Sequence, residues 1–135
     1  MTTDFDRIFD ILVLQLLKRK VNGLTDARLE VFSQGDTLNI KIKGDIDHHS
    51  VKRIREDIDK QIRSFMPVRV YLDLSYVDFM DSSGLGLILG RYALAKDIRA
   101  KLILTNPSRR IKKILTLAGI ERIIEIEGDD KNDAC

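Results

Sequence analysis

Two adjacent serines preceded by an aspartate form the most chemically suggestive feature of the sequence. Asp81, Ser82 and Ser83 lie between a predicted strand and a predicted helix. In open α/β sheets this edge is where ligands gather, and the free N–H groups at a helix N-terminus accommodate an anion. Two interpretations follow: a side chain caps the helix, or one serine is a regulated phosphate acceptor. The two interpretations are compatible if one side chain caps the helix while the hydroxyl of one serine stays exposed.

Two glycines stand inside the same predicted helix. Gly84 and Gly86 each disfavour the helix by roughly 0.8–1 kcal/mol relative to alanine. Their missing side chains let another surface approach the backbone, either the underlying sheet or a second molecule. They do not form a dinucleotide-binding fingerprint, because the next glycine falls at Gly90 and no phosphate-binding lysine follows.

A second polar segment ends on Ser50 and contains Asp45, Asp47, His48 and His49. A metal site is not expected, because the sequence has no other histidine and its one cysteine is the last residue. Asp47 or Ser50 is better explained as the cap of the helix that follows. Catalysis by Ser82 is also disfavoured, since no Gly-x-Ser-x-Gly motif surrounds it. We therefore predict no metal, no cofactor and no catalytic residue.

Hydrophobic periodicity places both polar segments within an α/β fold. The strands are predicted at 28–31, 38–43, 68–74, 101–105 and 122–127, and the helices at 51–65, 83–99 and 106–118. Strands that alternate with helices indicate a mixed sheet of about five strands with helices packed against it. The buried side of the second helix is predicted to carry Leu85, Ile88, Leu89 and Tyr92.

Composition limits the classes of protein to which this chain belongs. Its 135 residues are 44% hydrophobic and 33% charged, which indicates one folded domain and excludes a disordered chain. The 23 basic and 21 acidic residues give a net charge of +2, which argues against direct binding to nucleic acid. No apolar run approaches the roughly 20 residues of a membrane span. One unpaired cysteine suits a reducing compartment, so we expect a cytoplasmic protein.

Residues 1–27 precede this arrangement and are predicted to form a helical extension. Apolar residues over 4–20 occupy one helical face and much of the other, as in a helix sandwiched between two surfaces. These positions are Phe5, Ile8, Phe9, Ile11, Leu12, Val13, Leu14, Leu16 and Leu17. Residues 128–135 form a polar, mostly acidic tail that we expect to be disordered.

Two segments resemble one known family. The run Phe79–Tyr92, with its Asp-Ser-Ser-Gly sequence, resembles the signature of the STAS-domain anti-sigma factor antagonists. The segment Gly44–Ser50 resembles the first-loop motif of that family. The resemblance covers residues 28–127 and is nearest to the members that control a sporulation sigma factor. It implies a STAS-like mixed sheet preceded here by the extra N-terminal helix.

The resemblance also implies a mechanism. The unphosphorylated protein would bind an anti-sigma factor that is also a serine kinase, and would thereby release a sigma factor for transcription. The kinase would phosphorylate Ser82 and end the interaction, and a separate serine phosphatase would reverse the modification. The antagonist itself would have no enzymatic activity. The implied partner surface comprises Asp45, Asp47, His48, His49, Asp81, Ser82, Ser83, Gly84 and Gly86.

Several alternatives stay open at this point. The same domain would serve equally in a general stress phosphorelay, because the pathway is determined by the partner. An aspartate-phosphorylated receiver domain would use Asp73, and a small nucleotide-binding module would use Gly84 and Gly86. The N-terminal helix, which the resemblance does not explain, would cover the sheet, form a homodimer or extend the partner interface.

Overall fold

The computed structural model of the protein describes residues 27–128. The elements in chain order are β1 (Arg28–Gln34), β2 (Thr37–Lys43), α1 (Val51–Phe65), β3 (Arg69–Tyr76), α2 (Ser82–Asp97), β4 (Lys101–Thr105), α3 (Arg109–Leu117), a 3₁₀ turn (Ile120–Arg122) and β5 (Glu125–Glu127). The predicted N-terminal helix and the predicted acidic tail beyond residue 128 lie outside the described residues. None of the helices between residues 27 and 128 combines the length and hydropathy that a bilayer crossing requires.

The five strands form one mixed sheet in sequence order, which confirms the predicted fold class. β1 pairs antiparallel with β2 across a tight turn at Gly35, whose φ of 63° favours glycine. The remaining pairs are parallel. Each helix connects a strand to its next neighbour in the same direction. Because such crossovers are almost always right-handed, all three helices lie on one face of the sheet.

Alternation along the strands builds the core between the sheet and the helices. Every second residue of the central strands is buried against the helices, as the pleat requires. The fully buried members are Leu38, Ile40 and Ile42 of β2, Val70, Leu72 and Leu74 of β3, and Ile54, Ile58 and Ile62 of α1. The carboxyl ends of β2 and β3 therefore have fixed positions, and the two polar segments follow directly from them.

Three details differ from the sequence-based expectations. The third strand runs over Arg69–Tyr76 instead of 68–74, and Val68, which precedes it, is 50% exposed. The last strand begins at Glu125, because the 3₁₀ turn after Gly119 takes up the residues before it. Leu89 is 40% exposed, whereas Leu87 is buried. α2 is apolar on nearly every side, so periodicity did not identify its buried face.

An ion pair between α1 and α2 lies next to the core. Arg91 Nε is 2.9 Å from Asp59 Oδ1, and the two side chains are 8% and 17% exposed. The angles are poor for a hydrogen bond, and Arg91 Nη1 is buried without a partner among residues 27–128. Burial lowers the pKa of Arg91, an effect that the charge of Asp59 opposes. The pair joins the two helices while leaving part of the guanidinium without a hydrogen bond.

We predict that Asp59→Ala lowers the free energy of unfolding by about 3–5 kcal/mol, because it leaves the buried Arg91 charge without its counter-ion. Urea unfolding measures the change. Asp57→Ala, at an exposed position of the same helix, is the matched control and stays within about 0.5 kcal/mol of the wild type. Equal losses in the two variants would contradict the role of the ion pair.

Candidate functional site

The three polar residues of the Asp-Ser-Ser motif have different positions and hydrogen bonds at the start of α2. Asp81 is the N-cap, and its Oδ1 accepts a hydrogen bond from the amide of Ser83 at 2.8 Å. Ser82 is the first helical residue and is exposed. Its hydroxyl makes no hydrogen bond to any residue between 27 and 128. Capping is therefore performed by the aspartate, and the Ser82 hydroxyl points to solvent from a helix N-terminus.

The two glycines of α2 have different surroundings. Gly84 is buried, and a Cβ at its position would lie 2.8 Å from the Cβ of Met80. Gly86 is exposed, and a Cβ there would meet nothing within 4 Å. Close packing inside the molecule therefore explains Gly84 and does not explain Gly86. One turn of helix separates Gly86 from Ser82, so the two lie on the same exposed face.

The segment Gly44–Ser50 forms a loop, the first loop. It lies directly beside the segment that precedes α2. Ile46 and Met80 form a parallel β-bridge. In this bridge the amide of Ile46 donates to the carbonyl of Phe79 at 3.0 Å, and the amide of Asp81 donates to the carbonyl of Ile46 at 3.2 Å. The two motifs found separately in the sequence are therefore one continuous surface, with Asp47 and Asp81 each one residue beyond the bridge.

A β-bulge sets the register of this surface. Lys41 pairs with Asp73, but Lys43 pairs with Tyr76, so β3 contains one residue more than β2 over this stretch. The extra residue interrupts the alternation of buried and exposed side chains along β3, before the bridge between Ile46 and Met80. Tyr76 is 55% exposed, and the Nζ atoms of Lys41 and Lys43 lie 5.0 and 5.1 Å from the centroid of its ring.

Hydrogen bonds inside the first loop fix its conformation. Asp47 Oδ1 accepts from the amides of His49 and Ser50, both at 3.0 Å. Ser50 Oγ accepts from the amide of Asp47 at 3.2 Å and donates to the carbonyl of Asp45 at 3.1 Å. Ser50 occupies the N-cap position of α1 without a capping bond from its side chain. Asp47 and Ser50 thus stabilise the loop, and neither caps the helix in the usual way.

Asp47 is ionised more readily than an ordinary aspartate. Burial by itself would raise its pKa, but the hydrogen bonds from Ser50 and His49 outweigh this effect and hold the pKa below its usual value. A carboxylate that accepts two backbone hydrogen bonds is stabilised in its charged form. The first loop therefore presents a fixed negative charge at neutral pH beside the start of α2.

The remaining predicted site residues lie on or just beneath this surface. His48 and His49 are exposed, and their ring centroids are 4.1 Å apart at a tilt of 37°. Asp45, Asp81 and Ser83 are half-buried. No three His, Cys, Asp or Glu side chains within residues 27–128 are grouped as a metal site. The surface therefore presents imidazole, carboxylate and hydroxyl groups that are available for contacts with another molecule.

Sequence reasoning missed two exposed aromatic residues at this edge of the sheet. Phe79 is 45% exposed immediately before the bridge, and Tyr76 is 55% exposed at the end of β3. Exposed aromatic rings are common anchors in protein interfaces. The only signal in the sequence was their place between a strand and a polar motif, which does not reveal the side on which they lie.

Asp73, the residue that a receiver domain would phosphorylate, is not at this surface. β3 continues past it to Tyr76, so Asp73 lies within the strand. It alternates with the buried Leu72 and Leu74 and hence faces away from the helices. Its Oδ1 accepts from the amide of Ser75 at 2.9 Å. This position disfavours the receiver alternative.

Comparison with known proteins identifies similar sequences and folds. The STAS domain family matches residues 28–131. The anti-sigma F factor antagonist of Lysinibacillus sphaericus is 35% identical over 85 residues, which cover 63% of this chain and 73% of that protein. The anti-sigma-B factor antagonist of Bacillus subtilis is 30% identical over 99 residues, which cover 73% of this chain and 88% of that protein.

Solved structures of the anti-sigma factor antagonist SpoIIAA share the fold. Its unphosphorylated form has a TM-score of 0.60 and 29% identity, with 80% of this chain and 93% of that chain covered. The phosphorylated form of SpoIIAA from Bacillus has a TM-score of 0.58 and 30% identity, with 80% and 95% covered. The chain is thus similar to a protein whose structure is known in both the unphosphorylated and the phosphorylated form.

The glycines provide a matched pair of substitutions. We predict that Gly84→Ala destabilises the protein by about 1–3 kcal/mol, because the new Cβ overlaps Met80. Gly86→Ala is expected to stabilise it by about 0.5–1 kcal/mol, since the added methyl group meets open space in a helix interior. Denaturant midpoints measure both changes. A similar response at the two positions would refute the difference in packing.

The lowered pKa of Asp47 predicts a dependence of stability on pH. Because the folded pKa lies below the unfolded value of about 3.9, the stabilisation is fully present above that value and is lost as pH falls through the folded pKa. Asp47→Asn should therefore be less stable than the wild type at pH 7, and the difference should shrink below about pH 4. Urea unfolding as a function of pH tests this, with the exposed Asp57→Asn as control. A constant difference at all pH values would contradict it.

Proposed function

Because the chain belongs to the STAS domain family, we propose that it is an anti-sigma factor antagonist. The names of the relatives from Lysinibacillus and Bacillus support this assignment. In the proposed mechanism the unphosphorylated protein binds an anti-sigma factor that is also a serine kinase. Binding releases the sigma factor, so the protein acts as a positive regulator of sigma-dependent transcription.

The observation that carries the proposal is the free hydroxyl of Ser82. It is exposed at the first position of α2 and is not used for capping, because Asp81 performs that task. A kinase needs an accessible hydroxyl, and Ser82 supplies one without any rearrangement of the helix. Ser83, which is half-buried and whose amide is held by Asp81, is the less accessible neighbour.

The fold tolerates a phosphate at this position. A phosphoserine adds about −1.5 to −2 charges and three acceptor oxygens. The partial positive charge of the helix N-terminus stabilises an anion at this position by on the order of 0.3–1 kcal/mol. The nearby carboxylate of Asp47, with its lowered pKa, adds repulsion in the opposite sense. Because the helix N-terminus offsets the repulsion from Asp47, we expect phosphorylation to change the charge of the surface and to leave the fold in place.

The same phosphate disrupts a protein interface. The proposed contact surface includes Ser82, the bare backbone at Gly86 and the exposed ring of Phe79, which together suit a partner that packs closely. A partner shaped for a neutral hydroxyl must desolvate a dianion and place it beside acidic groups. A loss of about 2.8 kcal/mol in binding would reduce affinity a hundredfold. A local charge thus switches binding without refolding the antagonist.

Reversal of the switch requires a second enzyme. We propose that a serine phosphatase removes the phosphate from Ser82. The existence of SpoIIAA in unphosphorylated and phosphorylated forms supports a reversible modification in this family. The proposed partners are therefore the kinase and the phosphatase, and the proposed location is the cytoplasm.

Sporulation is the proposed pathway, and a general stress response is the alternative. Relatives named for sigma F support the former, and the Bacillus subtilis relative named for sigma-B supports the latter. The discriminating measurement is binding of the purified protein to the anti-sigma kinases of the source organism. Preference for the kinase that controls a sporulation sigma factor supports the first pathway, and preference for the stress kinase replaces it with the second.

We predict that Ser82→Ala abolishes phosphorylation by the cognate anti-sigma kinase and leaves the free energy of unfolding within about 0.5 kcal/mol of the wild type. The variant should act as a constitutive antagonist. Ser82→Asp should weaken kinase binding. Incubation with kinase and ATP followed by mass spectrometry of the modified peptide locates the phosphate, and calorimetry measures binding.

Ser83→Ala is the matched control, because it removes the adjacent hydroxyl and keeps the amide that Asp81 caps. We expect it to be phosphorylated like the wild type. If Ser82→Ala were phosphorylated as well as the wild type, the site assignment would be wrong. If the unmodified protein bound no anti-sigma factor, the proposed function itself would fail.

A further inference from the structure

A groove lies at the end of the sheet where β3, β4 and β5 begin. It measures about 610 Å³ and is bounded by the first residues of these strands and by the last turns of α2. Among the lining residues between 27 and 128, four are cationic and one is anionic. The cations are Arg69, Lys96, Arg99 and Lys101, and the anion is Glu125. We call this cleft the basic groove.

The positive charge of the basic groove is only partly neutralised. Lys101 Nζ is 2.6 Å from Glu125 Oε1. The hydrogen bond with Glu125 raises the pKa of Lys101, and the positive charge of Arg69 opposes this increase. Arg69 and Arg99 form no ion pair and no side-chain hydrogen bond with any residue between 27 and 128. Two guanidinium groups therefore remain available for an anion.

Apolar side chains lie in the same groove. Val68 is 50% exposed and Ile123 is 49% exposed. Tyr92 is half-buried, and the Nζ atom of Lys96 lies 5.6 Å from the centroid of its ring. Apolar residues grouped at the surface beside polar ones are typical of interaction sites. The basic groove thus offers both charge and apolar area to another molecule.

Arg99 occupies a backbone conformation that does not favour arginine. Its φ is 60°, and it directly follows the residue that caps the end of α2. The amide of Arg99 donates to the carbonyl of Lys96 at 3.0 Å, and the amide of Ala100 donates to that of Ala95 at 2.8 Å. Glycine is the usual residue at this position of such a helix end. The backbone therefore gives no reason for an arginine here, whereas the unpaired side chain in the groove does.

We propose that the basic groove is a docking surface for an acidic segment of a partner protein. The carboxylates of the segment would pair with Arg69 and Arg99, because a guanidinium binds a carboxylate through two parallel hydrogen bonds. An apolar side chain of the segment would pack on Val68 and Ile123. A peptide segment suits this site better than a bilayer, since the surface is concave.

The basic groove and the Ser82 surface lie at opposite ends of β3. The groove is lined by Arg69, the first residue of this strand, and Ser82 follows its other end. A strand of this length spans about 23 Å. Docking in the groove therefore does not depend on the proposed function, and it should be the same whether Ser82 carries a phosphate or not.

NMR titration of the isotope-labelled full-length protein with the peptide acetyl-Asp-Glu-Leu-Glu-Asp-amide tests the proposal. Saturable shifts should appear at the amides of Arg69, Lys101 and Ile123 and be absent at Ser82 and Gly86. The neutral peptide acetyl-Asn-Gln-Leu-Gln-Asn-amide is the matched control and should cause none. Equal shifts with both peptides, or shifts that leave the groove unaffected, would overturn the proposal.

Substitutions separate the groove from the overall charge of the protein. Arg99→Gly should keep the fold, since glycine suits this backbone, and should weaken binding of the acidic peptide by about two- to fivefold. Arg69→Gln should weaken it to a similar degree. Arg110→Gln removes the same charge from an exposed position of α3 outside the groove and should leave the Kd unchanged. Equal weakening in all three variants would show a response to net charge alone and would refute the site.

Sedimentation with vesicles that contain phosphatidylserine tests the competing occupant, an anionic membrane. We expect the full-length protein to stay in the supernatant. Sedimentation that Arg69→Gln and Arg99→Gly both prevent would replace the acidic segment with a lipid surface and overturn the proposal.

Discussion

The site depends on a single backbone bridge. Ile46 and Met80 join the first loop to the start of α2 through two hydrogen bonds of 3.0 and 3.2 Å. Both residues are buried, so the bridge is shielded from water and also contributes to the core. Without it, Asp47 and Ser82 would lie on two independent loops. With it, they share one continuous surface.

Within that surface, the polar side chains differ in whether they accept hydrogen bonds from the backbone. The carboxylates of Asp47 and Asp81 accept backbone hydrogen bonds and so hold the loop and the helix start in place. The Ser82 hydroxyl is left without such a task. Chemistry at Ser82 therefore leaves the supporting hydrogen bonds untouched, which is the property that a reversible switch requires.

Much of this arrangement could be predicted from the sequence, and the exceptions have physical causes. α1 was predicted from 51 to 65 as observed, because Ile54, Ile58 and Ile62 give a clear helical period. The exposed side of α2 could not be predicted, because apolar residues occupy almost the whole circumference of this helix. Which of them are buried depends on how the helix packs on the sheet. The bridge at Ile46 was not predicted either, since long-range backbone pairing leaves no local pattern. That Gly84 packs on Met80 while Gly86 stays bare follows only from the structure.

The bulge between Lys41–Lys43 and Asp73–Tyr76 determines on which side of the sheet the last residues of β3 lie. Side chains on a strand alternate with a period of two, so one additional residue exchanges inside for outside for everything that follows. Tyr76, which an unbroken alternation from Leu72 and Leu74 would turn toward the helices, is 55% exposed, and Val77 is buried instead. Deleting the extra residue would turn this aromatic ring toward the core, so the bulge is what leaves the ring at the solvent edge of the sheet.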